Sequence, residues 1–155
     1  MAFQISSLPE GEFAHLHELS DRELQEHGAV RMHVGVRPGF PCRVTLEDAE
    51  LGEKVILVNY VHLSVATPYR SSHAVFVREK AVQARPSIDE VPESLRIRLL
   101  SIRAFDEDGM MRDADVVHGR DFETAVERLF ENPAVEYLHV HNAKPGCYAA
   151  RVDRA

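Results

Sequence analysis

The chain has 155 residues, 45% of them hydrophobic, which is enough for one self-sufficient core and short for two. Its 18 Lys and Arg face 25 Asp and Glu, a net charge of −7 with no basic block. That argues against nucleic acid as a partner, because binding to phosphates draws on clustered cations. No run approaches the ~18 apolar residues of a membrane span, and residues 1–12 carry no basic segment followed by an apolar stretch. The expectation is a cytoplasmic protein without a membrane partner, whose two cysteines, Cys42 and Cys147, are free thiols.

A short strand is expected over 3–6, followed by helical turns around Phe13, Leu16 and Leu19. A helix then starts at Ser20, where Ser20 and Glu23 stand at capping-box spacing, and stops at Gly28. Weak alternation predicts a strand over 29–36, ended by Pro38-Gly39, and a second one over 42–46 before an acidic turn. Residues 55–63 are β-branched and apolar on both faces, as expected of a strand placed centrally in a sheet. Residues 66–72 read as a loop, 73–79 as a strand, and 81–92, with two prolines, as a mobile surface segment.

Leu95, Leu99 and Ile102 suit a helix, whereas Leu95, Ile97 and Leu99 suit a strand; the expectation is a short helix after Pro92 and then a strand up to Phe105. Asp108-Gly109 predicts a type I′ hairpin turn, with its return strand over 110–118. Phe122, Ala125, Val126, Leu129 and Phe130 form one apolar stripe of a helix over 121–132, capped by Asp121 and stopped by Pro133. A closing hairpin joins 135–142 to 147–153. The class is therefore α+β: one domain over 1–155, a mostly antiparallel sheet with two to four short helices packed on one face.

The segment 137–148, YLHVHNAKPGCY, concentrates the chemistry. His139 and His141 lie two apart in a strand, so both imidazoles leave the same face, roughly 6.6 Å apart at the backbone. Such a pair can reach one Zn²⁺ at Zn–N distances of about 2.1 Å, or act as proton donor and acceptor near neutral pH. It can also simply satisfy itself at a sheet face. A third ligand is available by type alone in His62, Cys42, Cys147 or Asp115, so no metal ligand set is assigned and the cofactor stays open, Zn²⁺ being one ion such groups can hold. Loop parity decides whether Cys147 joins the histidines. An even loop over 143–146 pairs Asn142 with Cys147 and turns the thiol to the opposite face.

The loop Thr67-Pro68-Tyr69-Arg70-Ser71-Ser72-His73 offers an Arg fork, a phenol and hydroxyls suited to a carboxylate or phosphate. Asp113 and Asp115 share one strand face, and His15 and His17 fall in a polar helical segment. Both pairs read as solvated surface groups.

Whole-chain features, from about Leu8 onward, resemble an uncharacterised bacterial family known only as a domain of unknown function. The residues that carry the likeness are Pro38-Gly39-Phe40-Pro41-Cys42-Arg43, Asn59-Tyr60, Thr67-Pro68-Tyr69-Arg70, Arg103-Ala104-Phe105-Asp106, Leu138-His139-Val140-His141-Asn142-Ala143 and Gly146-Cys147-Tyr148-Ala149-Ala150-Arg151-Val152. The resemblance implies a compact bacterial domain and no particular activity.

From the residues themselves, the expected function is binding of a small anionic metabolite in a polar His/Arg pocket. Arg43, Tyr69, Arg70, Ser72, Asn142 and Cys147 would hold it, while His139 and His141 supply acid–base or metal-assisted hydrolase or transferase chemistry. The alternative is a non-catalytic interaction module in which the histidines are structural.

Overall fold

A computed structural model describes all 155 residues. Eight strands run in chain order as β1 (Phe3–Ser6), β2 (Val30–His33), β3 (Lys54–Leu63), β4 (Ser71–Arg78), β5 (Leu99–Phe105), β6 (Met111–His118), β7 (Tyr137–Asn142) and β8 (Tyr148–Arg154). Three α-helices accompany them: α1 (Asp21–Glu26), α2 (Glu93–Arg96) and α3 (Phe122–Phe130). The strands form two antiparallel sheets rather than one, a five-stranded sheet in the order β1-β8-β7-β5-β6 and a three-stranded sheet in the order β2-β3-β4. The fold is α+β, as composition and pattern indicate.

Period-2 alternation explains how the large sheet packs. Leu100, Ile102 and Ala104 of β5, Leu138 and Val140 of β7, and Ala150 and Val152 of β8 face one way. They meet the stripe Phe122, Ala125, Val126, Leu129 and Phe130 of α3 in an 18-residue core. The other face of the same sheet carries Arg103, Phe105, Tyr137, His139 and His141. The small sheet turns Ile56, Val58, Tyr60 and His62 of β3 inward, with His73, Val75 and Val77 of β4. A second core joins this small-sheet face to Leu8, Phe13, Leu16 and Leu24 of the N-terminal segment. The capping box at Ser20 is present in full, Glu23 N donating to Ser20 Oγ at 3.2 Å and Ser20 N to Glu23 Oε2 at 2.8 Å.

Five local expectations are corrected. Residues 42–46 are a tight turn, not a strand: Leu46 N bonds Cys42 O at 3.0 Å and Leu46 takes φ 54°, so the chain reverses before a ladder can form. The strand expected over 29–36 is confined to β2. The segment 81–92 has no regular structure but is tied down. Ser7 Oγ donates to Ala84 O at 2.8 Å, Phe3 N to Asp89 Oδ1 at 2.9 Å, and Asp89 N to Phe3 O at 3.0 Å. It covers the free edge of β1, where open backbone groups would otherwise invite strand pairing.

The turn at 107–109 is not type I′, because only Gly109 has positive φ. Asp106 N bonds Met110 O, and the Asp106 carboxylate caps Asp108 N and Met110 N, giving a three-residue loop with Gly at its left-handed position. Asp121 makes no side-chain cap to α3, which is entered instead through a 3₁₀ turn at Gly119–Asp121.

That 3₁₀ turn fits against α2 because residue 119 lacks a side chain. A Cβ there would meet Leu95 O at 2.0 Å and Arg96 O at 2.5 Å, both backbone. Gly119→Ala is expected to lower stability by about 1–3 kcal/mol in urea unfolding. Gly11→Ala, where no atom lies within 4 Å, serves as the control and is expected to leave the midpoint nearly unchanged.

Candidate functional site: a histidine cluster between the sheets

All six residues of β7 are buried, because the strand is central in the large sheet and covered on both faces. Its alternate residues Leu138 and Val140 enter the α3 core. His139, 2% exposed, and His141, fully buried, point into the layer between the sheets.

Two β-bulges complete the layer. In β3 the pairing steps from Val61↔Ser72 to Leu63↔Ser71, leaving His62 as the extra residue. The interruption lets neighbouring side chains face inward together. Leu63 packs with Phe105 and Tyr137, while His62 reaches the β7 histidines. In β8 the pairing steps from Val140↔Ala150 to His141↔Tyr148, leaving Ala149 as the extra residue. Without that bulge Tyr148 would share the Ala150 face; with it the phenol ring stacks on His62 at 4.6 Å. Bulges re-aim side chains in this way and are frequent beside functional sites.

The imidazoles of His62, His73, His139 and His141 form one cluster, with His62 in contact with each of the other three. His62 Nδ1 lies 3.1 Å from His139 Nδ1, and His62 Nε2 lies 2.7 Å from His73 Nδ1. The His141 ring packs edge-on against His62 and His73, at 5.1 and 5.0 Å between centroids. One ring nitrogen from each of His62, His139 and His141 lies within 4.8 Å of the other two. His141 Nδ1 is 3.0 Å from Gly146 O, which makes it the protonated nitrogen and leaves Nε2 with the lone pair. That Nε2 is buried and has no hydrogen-bond partner.

Burial holds these rings neutral. Desolvation, reinforced by neighbouring imidazoles and by Arg103, pushes His62 down to about 4 and His139 to about 2. His141 is likewise pushed down, mainly by desolvation, to about 3, and desolvation also lowers His73. Arg103, on β5 opposite His139, acts on all four rings. It is partly buried, makes no side-chain hydrogen bond and has no carboxylate beside it, so desolvation alone lowers its pKa.

The residues singled out in the sequence divide between places. His139 and His141 sit at the centre of the cluster, with His62 as their third partner. Arg43, Asn142 and Cys147 form a separate group at the β7–β8 turn. Arg43 is 2% exposed and donates through Nη2 to Cys147 Sγ at 2.8 Å and through Nε to Tyr148 O at 2.7 Å, with a third bond to Pro41 O. Asn142 N bonds Cys147 O at 2.9 Å across a four-residue loop, so the thiol lies with Arg43 and Asn142 and makes no bond to a histidine.

The loop over 67–73 does not deliver its arginine. Arg70 is exposed and bonds Ser64 Oγ at 3.3 Å, and Ser72 is exposed. Tyr69 touches the layer only through the edge of Phe105, 6.1 Å away. The cation beside the histidines is Arg103 instead. Asp113 and Asp115 both pair with Arg128 of α3, at 3.4 and 2.6 Å. His17 is not solvated as its sequence context suggests; Nε2 is buried without a partner and desolvation lowers the ring's pKa.

Arg103, His73 and Tyr148 carry no local signal that sets them apart. His62 does, since it is the one histidine in β3 and stands between Val61 and Leu63.

The family described as Protein of unknown function (DUF1203) matches residues 39–154, which takes in every strand from β3 onward and all four clustered histidines. The chain belongs to this family. No match was found among curated proteins or among solved structures. No helix is long and apolar enough to cross a membrane.

The depressed imidazole pKa values set the acid response. Unfolded histidines titrate near 6.5, whereas His62, His139 and His141 stay neutral in the native state down to about 4, 2 and 3. Unfolding therefore takes up protons below pH 6.5. Stability is full above that value and falls as pH drops toward the folded values. Each buried imidazole adds a slope of up to about 1.4 kcal/mol per pH unit. Urea midpoints should fall steeply from pH 6.5 to 5, and His139→Gln with His141→Gln should flatten that slope whatever it does to absolute stability. An unchanged slope in the double variant would contradict the buried, neutral assignment.

Proposed function

We propose that the protein binds a zinc-class divalent ion through His62, His139 and His141. The bound ion, with Arg103, would hold a small anionic metabolite for metal-assisted hydrolysis or group transfer. The observation that carries this reading is the triangle of ring nitrogens from two different sheets, together with the buried and unpartnered Nε2 that His141 retains. Two nitrogens on a tetrahedral Zn²⁺ stand about 3.3 Å apart when each Zn–N bond is about 2.05 Å. His62 Nδ1 and His139 Nδ1 stand at 3.1 Å.

The surroundings suit ligation as well. Gly146 O fixes the His141 tautomer, and His73 Nδ1 can accept the Nε2 proton of His62, the outer support that metal-bound imidazoles usually have. Ligands must be deprotonated to bind, and burial keeps these rings neutral at physiological pH. His62 and His73 retain some exposure, so a fourth position on that side is open to water or substrate. An ion there supplies Lewis acidity and a water acidified toward neutrality, while the unpaired Arg103 guanidinium offers two parallel donors to an oxyanion. A bacterial cytoplasm, with Cys42 and Cys147 as free thiols, is the setting this reading assumes.

A metal-free relay is the second reading, favoured by the two short ring–ring distances. In His73–His62–His139 each neutral imidazole could donate to the next, giving acid–base chemistry without an ion.

Titration of chelator-treated protein with Zn²⁺, followed by calorimetry, separates the two. The metal reading expects one ion per chain and loss of binding in His141→Ala. In His73→Ala, where only an outer support is removed, affinity should weaken by about 10- to 100-fold. Co²⁺ in place of Zn²⁺ should give the visible absorption of a four-coordinate site. Arg103→Gln is expected to keep the ion and lose calorimetric binding of inorganic phosphate to the Zn²⁺-bound protein. No saturable Zn²⁺ binding in the wild type would overturn the metal reading in favour of the relay.

A further inference from the structure

A cavity of about 380 Å³ opens beside the β7–β8 turn and includes none of the clustered histidines. Its wall contains three cations, Arg43, Arg98 and Lys144, and no carboxylate. In a chain with 25 acidic and 18 basic residues that bias is local, not a reflection of composition. Asp48 neutralises Arg98 through two bonds, at 2.6 and 3.0 Å. Arg43 has no such partner. It is buried, its three bonds go to two carbonyls and a thiol, and two of its five N–H groups are left over. A guanidinium removed from water without a carboxylate is costly unless an anion meets it.

Asn142, 4% exposed and part of the same wall, supplies an independent sign. Its Oδ1 is buried and unpartnered, while its Nδ2 reaches only the Cys147 sulfur at 3.9 Å. A buried amide left half-satisfied is expected to complete its bonds with something that enters the cavity. The remaining wall is apolar, including Phe76 and Leu99, so the space beyond the cations suits a short hydrophobic body.

We infer that this cavity is a ligand site separate from the histidine centre, taking a small carboxylate or phosphate monoester that carries a compact apolar group. The oxyanion meets Arg43 and Lys144, Asn142 bonds the head group, and the apolar part lies against Phe76 and Leu99. The inference does not rest on the metal reading, because the residues that form this site are not those of the cluster.

Cys147 reports on occupancy. It is partly exposed at the cavity wall, whereas Cys42 is buried at 1% exposure, so a neutral alkylating reagent on native protein modifies one thiol. The rate of Cys147 alkylation by iodoacetamide, followed by mass spectrometry, is measured with benzoate, phenyl phosphate and, as neutral counterpart, benzyl alcohol. At least one of the two anions is expected to slow the reaction saturably and benzyl alcohol is not; which anion acts distinguishes carboxylate from phosphate ligands. Lys144 is exposed on the turn and makes no hydrogen bond, so Lys144→Glu leaves the fold intact. That variant should raise the half-protecting concentration about tenfold or more.

Protection should persist after chelator treatment, which separates this site from the histidine centre. Absence of protection by both anions, equal protection by benzyl alcohol, or protection unchanged in Lys144→Glu would each overturn the proposal.

Discussion

Strand β7 is buried on both faces, and the two faces meet burial with different chemistry. Toward α3 the strand presents Leu138 and Val140, whose transfer out of water drives packing of the helix onto the sheet. Toward the small sheet it presents Tyr137, His139 and His141, and here burial works against charge. An imidazolium in that layer would lose its hydration and face Arg103, so the rings are held neutral. Nearly everything else about the site follows: the ring–ring hydrogen bonds and the orphaned nitrogen of His141.

A layer of this composition needs two sheets. One sheet with helices on a single face would have left the histidine face to solvent, where these rings would titrate normally. The small sheet closes it: alternation along β3 points His62 at the β7 histidines, and the bulge at Ala149 brings Tyr148 against them. That bulge also sets the end of the β7–β8 hairpin, where Asn142 and Cys147 are held against Arg43. The same short hairpin thus serves two polar regions, one on each side of the step between His141 and Asn142.

Much of the local structure was legible in the residues. The Ser20–Glu23 capping box, the α3 stripe, the run at β3 and the even loop that pairs Asn142 with Cys147 are all governed by neighbours within a few positions, and they stand as read. The turn at 107–109 and the entry to α3 were misread locally, and other misreadings fall where distant segments decide. Residues 42–46 have the pattern of a strand but turn back on themselves and bond β4 through Arg43 N to Phe76 O. Residues 81–92 have the composition of a mobile loop but are fixed by β1. Arg70 lies in a loop rich in anion-binding groups yet never approaches the histidines.

The sequence by itself determined the class of fold, the strand that carries His139 and His141, and the fact that both rings leave one face, because alternation along a strand is a property of the backbone alone. Only the tertiary structure decided which residues meet them. His62, His73 and Arg103 are brought to them by sheet-on-sheet packing and strand pairing, and neither leaves a periodic trace in the chain. Neutrality of the cluster was decided in the same way, since desolvation depends on what covers a group and not on its neighbours in sequence.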